Sequence, residues 1–509
     1  MTIIEAKEKL FKSIDKKEYR KAVYWCDFIV KSRCLGKWDG FLTDKDIEEA
    51  IKIIGKNINS LHTEEKYDGP RGILHVVTDI WHWGGATQYL ERWLTTRNEQ
   101  SVIYVTKPGN YEGIKILKTK INNNCSIIES IDADIVDNSI KLRNIARYSD
   151  YVVVHSSAHD IVPCLAFADK DLPVVIRNNI DDHLYWPGVT IYDGIINFRS
   201  IGDDWTRKYR GSQRSFVLPL PLDEQLFRDI GREEKLSLRQ KYGISKNDVV
   251  LISSGSTYKF NSYRNYIYMD IVNEIIGKTE NTIFIIIGHP KCQINNKRIV
   301  IKDIIDNRDE YLNLLKIADI AVTSLPFSSQ TAILEMGLMG MPCVLPPKDI
   351  PMGIEDISFN KIKIPENREE LIKMAIMYVK DERKRVKDGA YVKQKIKEYH
   401  NCNSWSKKLE QILTSNAYGH NIYNIDQYEK FDENTVNYWN EIRQKDISTR
   451  KNNYHYIFIC NNYPISPFEM KDFIQKKCIK VIEEIIIYIL RKIRYNIGKI
   501  RKKEKFKNV

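Results

Sequence analysis

The chain has 509 residues, of which 43% are apolar and 29% charged, a balance typical of folded globular proteins and not of disordered chains. This length exceeds what one core usually holds and predicts two to four domains. The nine cysteines are scattered without a CxxC pair, which favours reduced thiols in the cytoplasm over disulfides or a zinc site. The first residues lack the apolar core of a signal peptide, and no apolar run approaches the roughly 18 residues of a membrane span. We therefore expect a cytoplasmic protein.

Residues 1 to about 65 have the pattern of short amphipathic helices and show no strand pattern. From residue 72 onwards, apolar runs of strand length alternate with helix-period segments. Such alternation is typical of a parallel sheet wound with right-handed crossovers. The predicted strands are 72–77, 101–106, 151–155, 173–177 and 194–198, and the predicted helices include 86–94 and 140–148.

A second set of the same kind follows a proline-bearing stretch over 214–223, which suits an extended crossing between domains. The sequence therefore predicts an α/β protein with two Rossmann-like halves, a helical N-terminal extension and a C-terminal extension. Its predicted strands are 248–255, 282–288, 319–325 and 342–346, and its predicted helices are 263–276, 308–317, 331–338 and 368–399. The corresponding domains are 1–68, 69–222, 223–400 and 401–509.

Ligands of open parallel sheets bind beyond the carboxyl ends of the strands, so candidate binding residues are expected in the loops that follow the strands of the first set. Gly84 and Gly85 follow the strand at 72–77 and precede a helix, which would let backbone N–H groups approach a ligand closely. A tight turn is the alternative. His155 ends the strand at 151–155, where its ring would point into a cleft and bind a sugar hydroxyl or move a proton. It is equally compatible with a structural role.

Two strands of the second half also end in residues suited to a ligand. Gly255, Ser256 and Lys259 follow the strand at 248–255, and small residues with a lysine suit a phosphate cradle. An ordinary loop with a surface lysine is the alternative. Gly288 and His289 end the strand at 282–288 and allow a similarly close approach.

The segment over 319–346 is the most informative about a possible ligand site. Its strand ends in SLPFSSQT, whose hydroxyl side chains are good caps for the next helix. The free N–H groups and the dipole of that helix would bind a diphosphate. Glu335 lies one turn further, where its carboxylate could hold the hydroxyls of a ribose; if buried, it needs a partner. The predicted donor-binding residues here are Ser328, Ser329, Gln330, Thr331 and Glu335.

Taken in order, these residues resemble the GT-B class of glycosyltransferases over roughly residues 70 to 400. The glycine pair and His155 resemble the acceptor half, and Lys259, Gly288 and SSQTAILEMGLMGMP resemble the donor half. The stretch over 174–223, with Asp182, His183 and Arg199, is similar to a bacterial branch. One departure is notable: the E-x7-E pattern of a large related family keeps its second glutamate as Glu335, but the first falls on Phe327.

The resemblance implies transfer of a sugar from a nucleotide-sugar donor without a bound metal or other cofactor. Lys259 and the helix starting near Gln330 would stabilise the leaving diphosphate. His155, His183 and Asp182 are the catalytic candidates, since histidine titrates near neutrality. An Asp132-Ala133-Asp134 triplet has the DxD form of a metal site, but such triplets arise easily in a chain with 67 acidic residues.

Most of the formal net charge of +12 falls in residues 471–509, which contain 13 basic and four acidic residues. Apolar residues there recur with helical spacing, as in a basic amphipathic helix on an anionic membrane surface. A helix packed on the protein with a basic end is the alternative. Nucleic-acid binding is not expected, because the remaining chain is close to neutral.

The leading prediction is an enzyme of bacterial surface-polysaccharide or glycoconjugate assembly, acting on a glycan or lipid-linked acceptor. A protein glycosyltransferase is a close alternative, with the N-terminal helices presenting a polypeptide. A non-catalytic scaffold of the same fold is a third, which the missing first glutamate keeps open. A nucleotide-sugar epimerase on this architecture is a fourth, but it explains the aromatic DHLYW element less well.

Overall fold

The computed structural model describes residues 2–60, 67–81, 85–107, 111–130, 134–169, 171–228, 230–289, 294–305, 307–351, 353, 356–414 and 428–443. Two compact units can be separated, 1–445 and 446–509, and all described residues belong to the first. Among these residues, no helix has the length and apolar character needed to cross a membrane.

Three helices form the N-terminal extension: α1 (Ile3–Asp15), α2 (Tyr19–Leu35) and α3 (Lys45–Ser60). Helix α1 begins with a capping box in which Thr2 and Glu5 bond each other's backbone N–H groups. Helix α3 buries one face, carrying Ile47, Ile51, Ile54 and Ile58 at helical spacing. These helices share one apolar core with the first sheet.

The first lobe is a seven-stranded parallel sheet with the order β3-β2-β1-β4-β5-β6-β7. Its strands are β1 (Ile73–Val77), β2 (Ser101–Val105), β3 (Cys125–Glu129), β4 (Tyr151–Val154), β5 (Val175–Asn179), β6 (Gly194–Asn197) and β7 (Ser215–Val217). Its helices are α4 (Gly85–Arg97), α5 (Tyr111–Lys120), α6 (Ile135–Ala146), α7 (Val162–Ala166) and α8 (Ser200–Arg210). The buried strands carry continuous apolar runs because helices cover both faces of a parallel sheet.

The second lobe is a five-stranded parallel sheet with the order β10-β9-β8-β11-β12. Its strands are β8 (Val249–Ser254), β9 (Thr282–Ile287), β10 (Ile299–Lys302), β11 (Ile320–Val322) and β12 (Cys343–Val344). Its helices are α9 (Arg232–Lys241), α10 (Tyr268–Gly277), α11 (Arg308–Ile317), α12 (Gln330–Leu338), α13 (Arg368–Lys380), α14 (Glu382–His400) and α15 (Cys402–Thr414), with short 3-10 turns at Glu224–Phe227, Thr257–Phe260 and Ile357–Phe359.

Two predicted helices of this lobe are shorter than expected. The helix predicted over 263–276 begins only at Tyr268, because Tyr263 and Tyr266 pair with each other across a tight turn. The helix predicted over 368–399 is broken at Asp381, which ends α13 and caps α14 by accepting a hydrogen bond from the Lys384 N–H. A side chain that caps a new helix competes with continuation of the old one.

The chain returns to the first lobe after crossing the second. The ring of Trp405 on α15 packs edge-on against Tyr89 and Trp93 of α4, with centroids 6.1 and 5.2 Å away. Arg97 and Glu410 form an ion pair beside this contact. A further helix over 433–443, here called the bridging helix, follows. Helix α15 therefore joins the two lobes, which lie on either side of a cleft.

Candidate functional site

A cavity of about 950 Å³ lies between the two lobes. Its walls are the carboxyl ends of strands and the first turns of helices from both sheets, which is where ligands of such sheets bind. Most of the predicted site residues line it. The lining residues used below are Gly85, Asp182, His183, Arg199, Gly255, Ser256, Lys259, Arg308, Phe327, Ser328, Ser329, Gln330, Thr331 and Glu335.

Helix α12 starts at this cavity without a side-chain cap. Ser329 occupies the N-cap position, but its hydroxyl accepts no hydrogen bond from the helix. The first N–H groups of a helix have no partner within it, and its dipole is positive at this end. The start of α4 is close by, since a Cβ added at Gly85 would lie 3.9 Å from Thr331 Oγ1. Two helix N-termini thus meet at one place, which is suited to an anion.

Lys259 is on the 3-10 turn after β8 and faces the same place. Its ammonium donates to the carbonyl oxygen of Ser328 at 3.2 Å. Burial, assisted by the positive charge of Arg199, lowers the pKa of Lys259 to about 8. A bound anion would relieve this repulsion and favour the charged ammonium.

Arg199 brings a second cation and is anchored in both lobes. Its Nε and Nη2 donate to the two oxygens of Asp182 at 2.6 and 2.9 Å, and its Nη1 donates to the carbonyl of Gly353 at 3.2 Å. Burial acts to raise the pKa of Asp182, but the Arg199 charge and the contact with His183 hold it well below its ordinary value. The Asp182 carboxylate is therefore charged and orients both neighbours, His183 through Nδ1 at 3.2 Å.

Glu335 is buried in an apolar helix, where a carboxylate needs charged partners. It has two of them. The side chain is 3% exposed. Arg92 Nη2 and Arg308 Nη2 donate to its Oε1 at 3.0 and 2.7 Å, and Arg308 Nη1 donates to Oε2 at 3.3 Å. Because Arg92 belongs to α4 and Arg308 to α11, this carboxylate connects the two lobes at the cavity wall. Its role in holding a ribose stays a prediction.

Gly288 lets its backbone touch the backbone of Gly255 beside the cavity. Gly288 has a φ of +86°, and a Cβ there would lie 1.9 Å from the Gly255 carbonyl oxygen. Gly255 and Ser256 line the cavity, whereas Gly288 and His289 do not. The His289 ring packs instead against Phe260 and Tyr268, with centroids 5.2 and 6.1 Å away.

His155 is not at the cavity, contrary to the expectation that its ring points into the cleft. It is 3% exposed, with its Nε2 3.0 Å from His75 Nδ1 and its Nδ1 3.0 Å from the Asn178 side chain. Burial, together with the charges of its neighbours, lowers the pKa of His155 well below its ordinary value. Because the His155 ring is neutral, buried and in contact with a partner at each nitrogen, we interpret it as a structural residue of the core.

Three other predictions fall wholly or partly outside the described residues. Gly84 and residues 471–509 lie outside the described residues. Of the DxD triplet only Asp134 is described, and it caps α6 by accepting from the N–H groups of Val136 and Asp137. Within the described part of the chain, no group of three or more His, Cys, Asp or Glu side chains is arranged to hold a metal.

Sequence reasoning did not identify Arg92 and Arg308 as site residues. Arg92 could have been found by the argument applied to Glu335, because a buried charged side chain on a helix needs a partner, whereas Arg308 is the first residue of α11 and is 31% exposed. Arg92 is only 7% exposed on α4, four residues after Gln88, which also lines the cavity. Which partner it takes depends on how the lobes meet, and local sequence does not show that.

The fold is shared with solved structures of GT-B glycosyltransferases. HepE of Anabaena, in complex with UDP and glucose, has a TM-score of 0.53 at 12% identity, over 68% of this chain and 100% of that one. A glycosyltransferase of Rickettsia africae has a TM-score of 0.52 at 15% identity, over 69% and 100%. Sucrose-phosphate synthase of Thermosynechococcus elongatus has a TM-score of 0.51 at 9% identity, over 67% and 98%. No protein-family model and no curated protein matches the chain. The chain therefore has the GT-B fold.

Proposed function

We propose that the protein is a glycosyltransferase that moves a sugar from a nucleotide-sugar donor to an acceptor. The observation that carries the proposal is the convergence of the uncapped start of α12, the Lys259 ammonium and the Arg199 guanidinium on one cavity between two lobes. A diphosphate is the charged group that such a site fits best. HepE, which shares the fold, is described in complex with UDP and with UDP-glucose.

In this proposal the chemistry is stabilisation of the leaving group. As the bond between sugar and diphosphate breaks, negative charge grows on the diphosphate oxygens. Lys259 and the N–H groups at the start of α12 would be positioned for that charge before the reaction begins. Closure of the lobes would exclude water and favour transfer over hydrolysis.

His183 would contact the sugar or the acceptor hydroxyl. Its Nδ1 is taken by Asp182, which fixes the ring, and among the described residues no hydrogen bond is found at Nε2. An imidazole held in this way can accept a hydroxyl proton. Asp182 would act through His183 and Arg199 as a positioning residue.

The acceptor and the cellular location belong to the same proposal. We expect a glycan, lipid-linked or protein acceptor in the synthesis of bacterial surface polysaccharides or glycoconjugates, on the cytoplasmic side. The basic residues 471–509 would bring the enzyme to an anionic membrane. Co-sedimentation with anionic vesicles, comparing the full chain with one ending at residue 470, tests that placement.

The central test measures nucleotide binding and turnover separately. Isothermal titration with UDP and other nucleoside diphosphates should give binding that Lys259→Ala weakens at least tenfold. Lys302→Ala, which removes a lysine paired with Glu310 on the surface, is the matched control and should leave binding unchanged. Absence of binding by every nucleotide would refute the proposal. Binding without release of nucleotide from any donor sugar would instead indicate a non-catalytic scaffold.

We further propose that transfer needs no metal ion, because protein cations and helix N-termini supply the positive charge at the diphosphate. Turnover should therefore be the same, to within about twofold, with excess EDTA as with excess Mg²⁺. A loss of turnover in EDTA that Mg²⁺ or Mn²⁺ restores would contradict this part of the proposal.

A further inference from the structure

One end of the cavity has an aromatic wall next to the phosphate-binding residues. The Phe327 ring lies 5.2 Å from the His183 ring and 5.3 Å from the Lys259 ammonium. Phe327 directly precedes Ser328, whose carbonyl binds Lys259. A group attached to a diphosphate at Lys259 would therefore lie against this wall.

The bridging helix holds the wall from behind. Trp439 packs against both rings, with centroids 5.1 Å from Phe327 and 4.9 Å from His183. The Tyr438 hydroxyl donates to the Pro326 carbonyl at 2.8 Å. At its other side the bridging helix is fixed to the N-terminal extension, where Asn440 exchanges hydrogen bonds with the Trp38 backbone. The ring of Phe327 is thus held by contacts from both lobes and from the added helices.

Several polar side chains near the Phe327 ring are already paired with one another. Asp182 and Arg199 form their ion pair. Asn179 donates to Asn197 at 2.7 Å and accepts from Trp186 at 2.9 Å. A sugar hydroxyl directed at the Phe327 ring would lose water without gaining a protein partner, which is costly in a buried site. A methyl group would bury apolar surface there.

We propose that the Phe327 ring selects a donor sugar that carries a methyl group over the same sugar with free hydroxyls alone, while His183 Nε2 stays available to a hydroxyl elsewhere on the sugar. The methyl group comes either from an acetamido substituent or from the deoxygenated C6 of a 6-deoxyhexose. This inference rests on the proposed function, because it needs the diphosphate at Lys259 to place the sugar.

The test uses matched donor pairs and needs no acceptor. Titration calorimetry compares UDP-glucose with UDP-N-acetylglucosamine, and dTDP-glucose with dTDP-6-deoxyglucose, each relative to the free nucleotide. The methyl-bearing member of at least one pair should bind about tenfold more tightly. The pair that shows the preference identifies the source of the methyl group.

Two substitutions of Phe327 distinguish the effect of a polar wall on the sugar preference from the effect of losing the aromatic ring. Phe327→Leu keeps an apolar wall and should keep the preference, whereas Phe327→Gln offers hydroxyls a partner and should remove it. Circular dichroism of both variants shows whether the fold is intact, and the preference is calculated relative to each variant's own affinity for the free nucleotide. Equal affinities within both pairs in the wild type would overturn the inference while leaving the proposed function standing. Failure of the free nucleotides to bind would remove the proposed function itself.

Discussion

The charge of Lys259 depends on pH within the working range. Burial and the neighbouring Arg199 lower its pKa to about 8, so the ammonium is charged below pH 8 and loses its proton as the pH rises. The affinity for UDP should therefore fall between pH 8 and pH 9.5, by up to about tenfold per unit. Lys259→Arg keeps its charge throughout and should give a flat profile. A wild-type affinity that does not change between pH 7.5 and pH 9.5 would contradict the assignment.

Glu335 should contribute to stability as well as to the site. Glu335→Ala leaves Arg92 and Arg308 without their shared carboxylate in a buried position, and should lower the free energy of unfolding by about 3 kcal/mol. Glu310→Ala is the matched control: it breaks an exposed pair with Lys302 and should cost less than about 1 kcal/mol. Urea denaturation of the two variants measures the difference; equal losses would show that Glu335 is not a buried partner.

For single residues, the sequence predicted which members of local motifs lie at the cavity. It did not predict which side chains pair with one another. Lys259, Ser328 and Gln330 follow strands directly, so their place at the cavity could be predicted from chain order. The direction of the His155 ring could not, because residues at a strand end alternate between two faces. Its burial beside His75 is decided by how β1 and β4 pair.

At the scale of elements, the buried strands were predictable, among them β12 at a sheet edge, whereas two half-buried edge strands were not. The strands β3 and β10, absent from the prediction, lie at the outer edges of their sheets. Each pairs with one neighbour and is mostly half-buried, so its sequence is less apolar than that of a central strand. The packing of α15 against the first lobe could not be predicted from the sequence either, because it depends on contacts between residues about 300 positions apart.

The contact between the loops after β8 and β9 requires glycine. Gly288→Ala would bring a Cβ to 1.9 Å from the Gly255 carbonyl, where no side chain can yield, and at a positive φ. We expect a loss of at least about 3 kcal/mol in the free energy of unfolding. Gly243→Ala shares a positive φ, +68°, but meets nothing within 4 Å, and should cost only about 1 to 2 kcal/mol. Equal losses in thermal denaturation would show that the loop contact is unimportant.

At the scale of the whole molecule, the two sheets should unfold together. One apolar cluster contains residues of both lobes, among them Trp93 of α4, Leu334 of α12 and Trp405 of α15. Breaking either lobe exposes the surface of the other. Tryptophan fluorescence and far-UV circular dichroism should report coincident urea transitions for residues 1–445. Two separated transitions would show that each lobe is stable alone.

The close approach of Gly255 and Gly288 also limits how this binding cavity can change under selection. In a mutant library screened for a new sugar preference, position 288 should return glycine in every surviving clone, because any side chain there would push two backbones apart. Position 327 is under no such backbone constraint, and sequence variety among survivors should collect there.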